Sequence, residues 1–386
     1  MHSLDAFAQA KLADLERRHL RRTLRESVRE DDIWVERGGR RLLSFSCNDY
    51  LNMSQRPEVR RAAIAAIERY GAGSGASRLI TGNHPLYAAL EARLARLKQT
   101  DGAVVFGSGY LANAGIIPAL IGRDGLVLVD ELAHACIYAG AQLTGGKIMR
   151  FRHNDVEHAS ELLARHRAEH DRAMMVTDGV FSMDGDLAPL AGLAALARKS
   201  DTWLMSDDAH GLGVVGGGRG SSFVNGVRVA VPLQMGTLSK AVGAYGGYLC
   251  ASAPVIDLMR NRARTFVYST GLPPAIVAAS IAALDLIERE PDYASLPVKK
   301  ARRFTQLLNL PEAQSPIVPV VIGEEQAAMA ASQLLEQEGF LAAPIRPPTV
   351  PAGSARLRLT FTARHPDDAI ERLAGLLREK IPAAVR

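Results

Sequence analysis

The stretch GTLSKAVGAYGG, residues 236–247, sets one cation, Lys240, among residues that are otherwise small, apolar or hydroxylic. No acid follows at helical spacing to pair with it. A lysine so placed reads in two ways. It is a surface residue of a Gly-rich loop, or it is an amine that loses its charge on desolvation and attacks a carbonyl to form a Schiff base. Upstream, LMSDDAHG closes an apolar run with Asp207, Asp208 and His210. Strand ends in a parallel sheet gather along one edge, where ligands bind. A lysine and an acid there, with a phosphate-sized loop, meet the needs of pyridoxal phosphate. The lysine takes the cofactor's aldehyde, and the acid keeps its ring nitrogen protonated as an electron sink. Asp207 is the residue expected at the ring nitrogen, and Asp208 is expected to be a loop or helix-start acid. His210 could hydrogen-bond the ring hydroxyl or serve structure alone.

A phosphate needs backbone N–H groups at a helix start. FGSGYLANAG, residues 106–115, offers glycines and a serine before helix-forming residues, and Thr237 could add a hydroxyl. GVFSMDGD puts Ser182 on another strand-end loop. GLGVVG, 211–216, has the glycine spacing of a dinucleotide fingerprint, but it runs into GGRGSS where a helix would have to follow, so that reading fails. His166 and His170 stand at helical spacing without a third ligand nearby, so no metal is expected.

The elements that position these residues follow from patterning. From 100 to 270, short apolar runs (DGAVVFGSG, GLVLVDE, RAMMVTDGVFS, TWLMSDDAHG, LQMGTLSK) alternate with helical segments and end in polar or glycine residues. This predicts an α/β unit with a mainly parallel sheet. An N-terminal helical and strand segment is expected over 1–45, a large domain over 46–290 and a smaller α+β domain over 291–386. The first 30 residues read as one charged helix, with Arg17, Arg21, Arg25 and Arg29 forming a basic stripe. Ser54 reads as the cap of the following helix. Three scattered cysteines without CxxC spacing exclude a disulfide framework and suit a reducing cytoplasm. No apolar run is long enough to cross a membrane. A net charge of +5 without a basic–aromatic platform points away from nucleic acid and suits an anionic small molecule.

The segments NDYLNMS, GAGSGASRLITGNHPLYAALE, DELAHACIYAG, GVFSMDGDLAPL, DDAHGLGVVGGGRG, TLSKAVGAYGG, YSTGLPP and RPPTVPAGSARLRLTFTA, in this order, resemble the α-oxoamine synthases. These are fold-type I pyridoxal-phosphate enzymes that join an amino acid to an acyl thioester with loss of carbon dioxide. The resemblance implies that Lys240 holds the cofactor, Asp207 its ring nitrogen and His210 its ring hydroxyl. It implies that His134 stacks on the ring, that Ser182 and Thr237 contact the cofactor, and that Gly109 and Tyr110 offer backbone N–H groups. It puts Arg346 on the amino-acid carboxylate, Thr349 and Asn48 beside the substrate, and Arg21, with Arg22 as its neighbour in a loose register, at the acyl group. YSTGLPP resembles a stretch that reaches the partner subunit's phosphate, which implies a homodimer. IRPPTVPAGSARLRLT is most similar to the branch that condenses L-alanine with a pimeloyl thioester, carried by coenzyme A or an acyl carrier protein, in biotin biosynthesis. A sister activity with glycine or another acyl thioester, and a non-enzymatic anion-binding protein on the same fold, are the alternatives. Asn52 stands where the family commonly has Gly, and Ala241 and Ala244 also depart from its pattern.

Overall fold

The computed structural model describes residues 2–381 apart from His19 and Asp32; the end of the expected C-terminal unit, 382–386, lies outside the described residues. A seven-stranded sheet forms its centre, in the spatial order 102–106, 247–251, 233–237, 203–207, 173–178, 126–130, 147–151. The strands from 233–237 to 147–151 pair in parallel, and 247–251 runs antiparallel to both of its neighbours. The expected parallel α/β architecture is therefore present.

Burial on both faces explains the near-continuous apolar runs. Side chains alternate across a strand, so Val127 and Val129 join one core while Leu126 and Leu128 join another. The first core is covered by the helices Gly109–Leu120, Ala135–Gln142 and Ala253–Arg262. By the same alternation Asp207 lies on the face of Met205, the face those helices cover. No helix follows 211–216, which folds as turns.

A second unit is built on the antiparallel strands Ile317–Gly323, Ala355–Thr360 and Ala343–Ile345. Its core also takes Ile33, Leu43 and Phe45, and the strand Arg40–Ser44 pairs in parallel with Phe340–Leu341. The chain near residue 40 is thus sewn into the C-terminal unit. The helix Pro291–Leu307 spans both cores, with Ala294 in the large one and Ala301 and Phe304 in the small one.

Two local expectations are corrected. The N-terminal helix covers Ser3–Arg17 only. Beyond it Val28–Glu30 is a strand paired with Trp34–Glu36, so Arg21, Arg25 and Arg29 do not share a helical stripe. Cross-strand pairing has overridden a run of residues with adequate helix propensity. Ser54 does not cap a helix. It lies in the single turn Met53–Gln55, and Pro57, which has no N–H to satisfy, opens the helix Pro57–Tyr70. Asp208 lies in the loop after the strand Trp203–Asp207, one of its two expected places. Its carboxylate accepts from Lys98 Nζ at 2.7 Å, and both side chains are buried. Asn52 adopts the left-handed conformation, φ 53°, which Asn tolerates better than any residue with a bulkier side chain and which accounts for glycine being acceptable there.

Candidate active site

Five strands of the sheet end in residues that face one another across a single edge. Asp130, Asp178, Asp207 and Thr237 are the last residues of their strands, and Gly107–Gly109 follow Phe106. Lys240 lies three positions beyond Thr237. Burial first, with Arg358 adding to it against the charge of Asp207, holds the Lys240 amine below the ordinary lysine range. Its Nζ lies 3.4 Å from His210 Nε2. The shift is in the direction that the Schiff-base reading of the stretch 236–247 requires.

His210 is buried, and burial, followed by the positive charges of Lys240, Arg358 and His134, keeps its ring neutral. Its Nδ1 lies 2.7 Å from the Tyr50 hydroxyl, itself held protonated by burial with a pKa pushed up to about 12. Tyr50, 160 positions from His210 in sequence, was not singled out by sequence reading.

Asp207 accepts from Asn113 Nδ2 at 2.8 Å and from the Ala209 N–H at 3.0 Å. Asn113 also donates to Cys136 Sγ at 3.0 Å, and Cys136 Sγ lies 2.8 Å from His134 Nδ1. His134 caps the helix Ala135–Gln142 by accepting from the Cys136 N–H, which assigns Nδ1 as an acceptor. Asn113 and Cys136 therefore link the acid to the expected stacking histidine. A second acid, Asp178, is the register partner of Asp207 on the neighbouring strand and receives the His134 N–H at 2.7 Å. Burial, and then the Asp207 charge, push Asp178 well above the carboxylate range, and burial also raises Asp207. The only sequence signal for Asp178 was a strand-end acid in MMVTDG like that in LMSDD.

Ser108 caps the helix Gly109–Leu120, its side chain accepting from the Leu111 N–H. Helical geometry leaves the N–H groups of Gly109 and Tyr110 without intrahelical acceptors. A Cβ on Gly109 would meet Thr237 at 3.4 Å, so this anion-binding helix start abuts the strand that leads to Lys240. Pyridoxal phosphate fits this donor set. The chain offers a depressed lysine for the aldehyde, a buried carboxylate that a protonated ring nitrogen would keep ionised, a neutral histidine and a helix N-terminus for the phosphate.

The substrate residues divide into two groups. Arg21, Arg346 and Thr349 line one cavity of about 670 Å³ together with Arg22 and Leu20. Asn48 lies elsewhere, beside Ser182, which was expected to contact the cofactor. Asn48 Oδ1 receives both terminal nitrogens of Arg358 at 3.2 Å, and the Ser182 carbonyl receives Arg358 Nε. Arg358 is 6% exposed. No carboxylate among the described residues pairs with it, whereas Arg356, two residues earlier, is bound to Asp184. A desolvated guanidinium is expensive to bury without an anion.

Residues 40–377 match the family of class I and II aminotransferases. A protein of Beijerinckia indica named 8-amino-7-oxononanoate synthase is 60% identical over 386 residues, covering 100% of both chains. Among solved structures, serine palmitoyltransferase from Sphingomonas wittichii superposes with a TM-score of 0.90 at 31% identity, over 99% of this chain and 98% of that one. A second structure of such an enzyme, described as holding PLP, matches at 28% identity with a TM-score of 0.90, over 100% of this chain and 99% of the other.

Proposed function

The chain belongs to the class I and II aminotransferases and, within them, to the 8-amino-7-oxononanoate synthases, pyridoxal-phosphate enzymes, and on that premise we propose that it condenses L-alanine with a pimeloyl thioester, releasing carbon dioxide and the thiol. The observation that carries the reaction class is the buried Lys240, its pKa lowered by that burial, on the strand edge shared with Asp207. The choice of substrates rests on the name borne by relatives alike along their whole length.

When bound, the cofactor supplies a conjugated, positively charged ring that accepts the electron pair left at the substrate's Cα. Asp207 keeps the ring-nitrogen proton in place. Asn113 and the Ala209 N–H fix the direction of its carboxylate. Lys240, whose amine burial holds below the ordinary lysine range, takes the Cα proton of alanine and later returns a proton to carbon. His134, with Nδ1 committed as an acceptor, presents Nε2–H to an oxygen of the reacting acyl group. The Gly109 and Tyr110 N–H groups with Thr237 receive the phosphate. Ser182 holds Arg358 through its carbonyl oxygen.

Arg346 was the residue that the resemblance placed on the amino-acid carboxylate. The geometry favours Arg358 for that task. Its three nitrogens are oriented by Asn48 and Ser182, N–H donors remain to spare, and its charge acts on Lys240 and His210. Arg346 and Arg21 then form a cationic wall of the 670 Å³ cavity for the acyl chain's terminal carboxylate or the thioester carrier. The two assignments separate in steady-state kinetics. Arg358→Lys should raise the KM for L-alanine about 10- to 100-fold, the worth of a charge-assisted pair. Arg346→Ala should raise the KM for the thioester while leaving that for alanine unchanged. The reverse pattern returns the carboxylate to Arg346.

Exposed Leu79, Ile80 and Tyr268 sit in two segments tied together by the bridge between Ser77 and Thr270, and we assign this apolar face to a homodimer interface. No helix among the described residues is long and apolar enough to cross a membrane. Three free cysteines accord with a reducing cytoplasm as the site of reaction.

A further inference from the structure

One ionisable group near the sheet edge takes no part in the chemistry above. His153, on the loop after the strand Lys147–Phe151, is held at both ring nitrogens by acids. Nδ1 lies 3.0 Å from Asp130 Oδ1 and Nε2 lies 2.8 Å from Asp186 Oδ2. Both nitrogens facing carboxylates requires the doubly protonated ring. Burial opposes that charge, yet the hydrogen bonds to Asp130 and then Asp186 carry its pKa up to about 10. Asn154, in the left-handed conformation, repeats the bridge, with its N–H on Asp130 Oδ2 and its Nδ2 on Asp186 Oδ2, each at 2.8 Å.

The two acids root two different loops. Asp130 Oδ1 also receives the Leu132 N–H at 2.9 Å and so shapes the turn that delivers His134. Asp186 closes the turn 181–186, its carbonyl receiving the Phe181 N–H, and the Phe181 ring stands edge-on to His153 at 4.3 Å. That turn carries Ser182, whose carbonyl holds Arg358, and Asp184, which holds Arg356. The adjoining Leu187 N–H donates to Gln314 of the C-terminal unit at 3.0 Å. The loop 182–187 is therefore a seam between the two units, and His153 fastens it to the sheet.

We propose that His153 is a positioning residue: clamped between Asp130 and Asp186, it fixes the loop of His134 against the loop of Ser182, and through Ser182 sets where Arg358 stands relative to Lys240. Without the His153 charge only the neutral Asn154 bridge would hold the two carboxylates together, so the loops would loosen without loss of the fold. The consequence for alanine rests on the reading of Arg358 as its carboxylate partner; the consequence for the loops does not.

The test uses the full-length holoenzyme carrying His153→Gln, with Asp186→Asn as a second variant should the first fold poorly. Amide exchange should quicken in both 130–134 and 181–187. The KM for L-alanine should rise about tenfold with kcat nearly unchanged. The same substitution in an Arg358→Lys background should add little further, since the two act through one contact. Cofactor absorbance should stay as in the parent enzyme. Unchanged exchange in either loop overturns the clamp. Loosened loops with an unaltered KM for alanine, or a KM effect that multiplies fully with that of Arg358→Lys, overturn the positioning role. If Arg358→Lys alone leaves the KM for alanine unmoved, it is the assignment of Arg358 that fails, and a tenfold effect of His153→Gln on that KM would then contradict the route through Ser182.

Discussion

Asp207 is a carboxylate that the fold raises and the cofactor must lower. Burial pushes its pKa up, and the hydrogen bonds from Asn113 and Ala209 only partly offset this. A positively charged ring nitrogen in contact would complete the offset. Asp207→Asn preserves shape and the bond from Ala209 but cannot hold a proton on that nitrogen. Exchange of the alanine Cα proton should fall by about two orders of magnitude or more, with the cofactor still bound. Exchange at the parent rate would transfer the role to Asp178. At this scale much of the site was legible. Lys240, Asp207 and His210 each stand in a short segment whose local pattern, an apolar run breaking into polar residues, marks a strand end, whereas His134 came only from the family resemblance. What escaped was the set of partners that tune them. Asn113 lies 94 positions from Asp207 and Tyr50 lies 160 from His210, and no local pattern encodes such pairings. Arg358 carried no local sign of its surroundings, because a guanidinium's lack of an acid partner is visible in three dimensions alone.

Secondary elements matter here through their ends. The helix Leu86–Lys98 delivers Lys98 from its last turn into the core, where it meets Asp208 and the Arg219 carbonyl, each at 2.7 Å. Asp208 in turn receives the Ser221 N–H at 2.9 Å, so this pair organises the turns 208–221 that begin beside Asp207 and His210. Both side chains are almost fully buried, and removing one leaves the other as an uncompensated charge. Lys98→Met should cost about 3–5 kcal/mol in urea unfolding, whereas Lys98→Met with Asp208→Asn should recover a large part of it. A loss under 1 kcal/mol for the single variant would show that the pair is not the element's anchor. Sequence patterning read Asp208 as a loop or helix-start acid and did not foresee its pairing, since a buried lysine is too rare to expect from composition. The N-terminal helix failed for a related reason. It stops at Arg17, and Val28–Glu30 at the end of the expected helix pair with Trp34–Glu36, a contact that helical periodicity cannot anticipate.

Across the whole molecule, the chain near residue 45 is bound to the C-terminal unit by more than strand pairing. His365 is fully buried, stacked on Phe45 at 4.0 Å, with Nε2 3.0 Å from the Ser44 carbonyl and Nδ1 receiving the Thr362 N–H at 2.9 Å. Burial depresses its pKa from 6.5 to about 3. The unfolded chain binds this proton between those values while the folded chain does not, so stability is present above pH 6.5 and lost as pH falls toward 3. Melting temperature should decline over that window, and His365→Gln should flatten the decline; an equal slope in the variant would assign acid sensitivity to other groups. The architecture itself was readable from alternating apolar runs, whereas the entry of Leu43 and Phe45 into the C-terminal core was not. The central claim concerns what this assembly makes. Incubating the holoenzyme with carboxyl-labelled L-alanine and pimeloyl-coenzyme A, and following product and gas by mass spectrometry, tests it most directly. The account predicts labelled carbon dioxide and 8-amino-7-oxononanoate in equal amounts. Turnover of L-serine with a long-chain acyl thioester, with alanine inert, would contradict it.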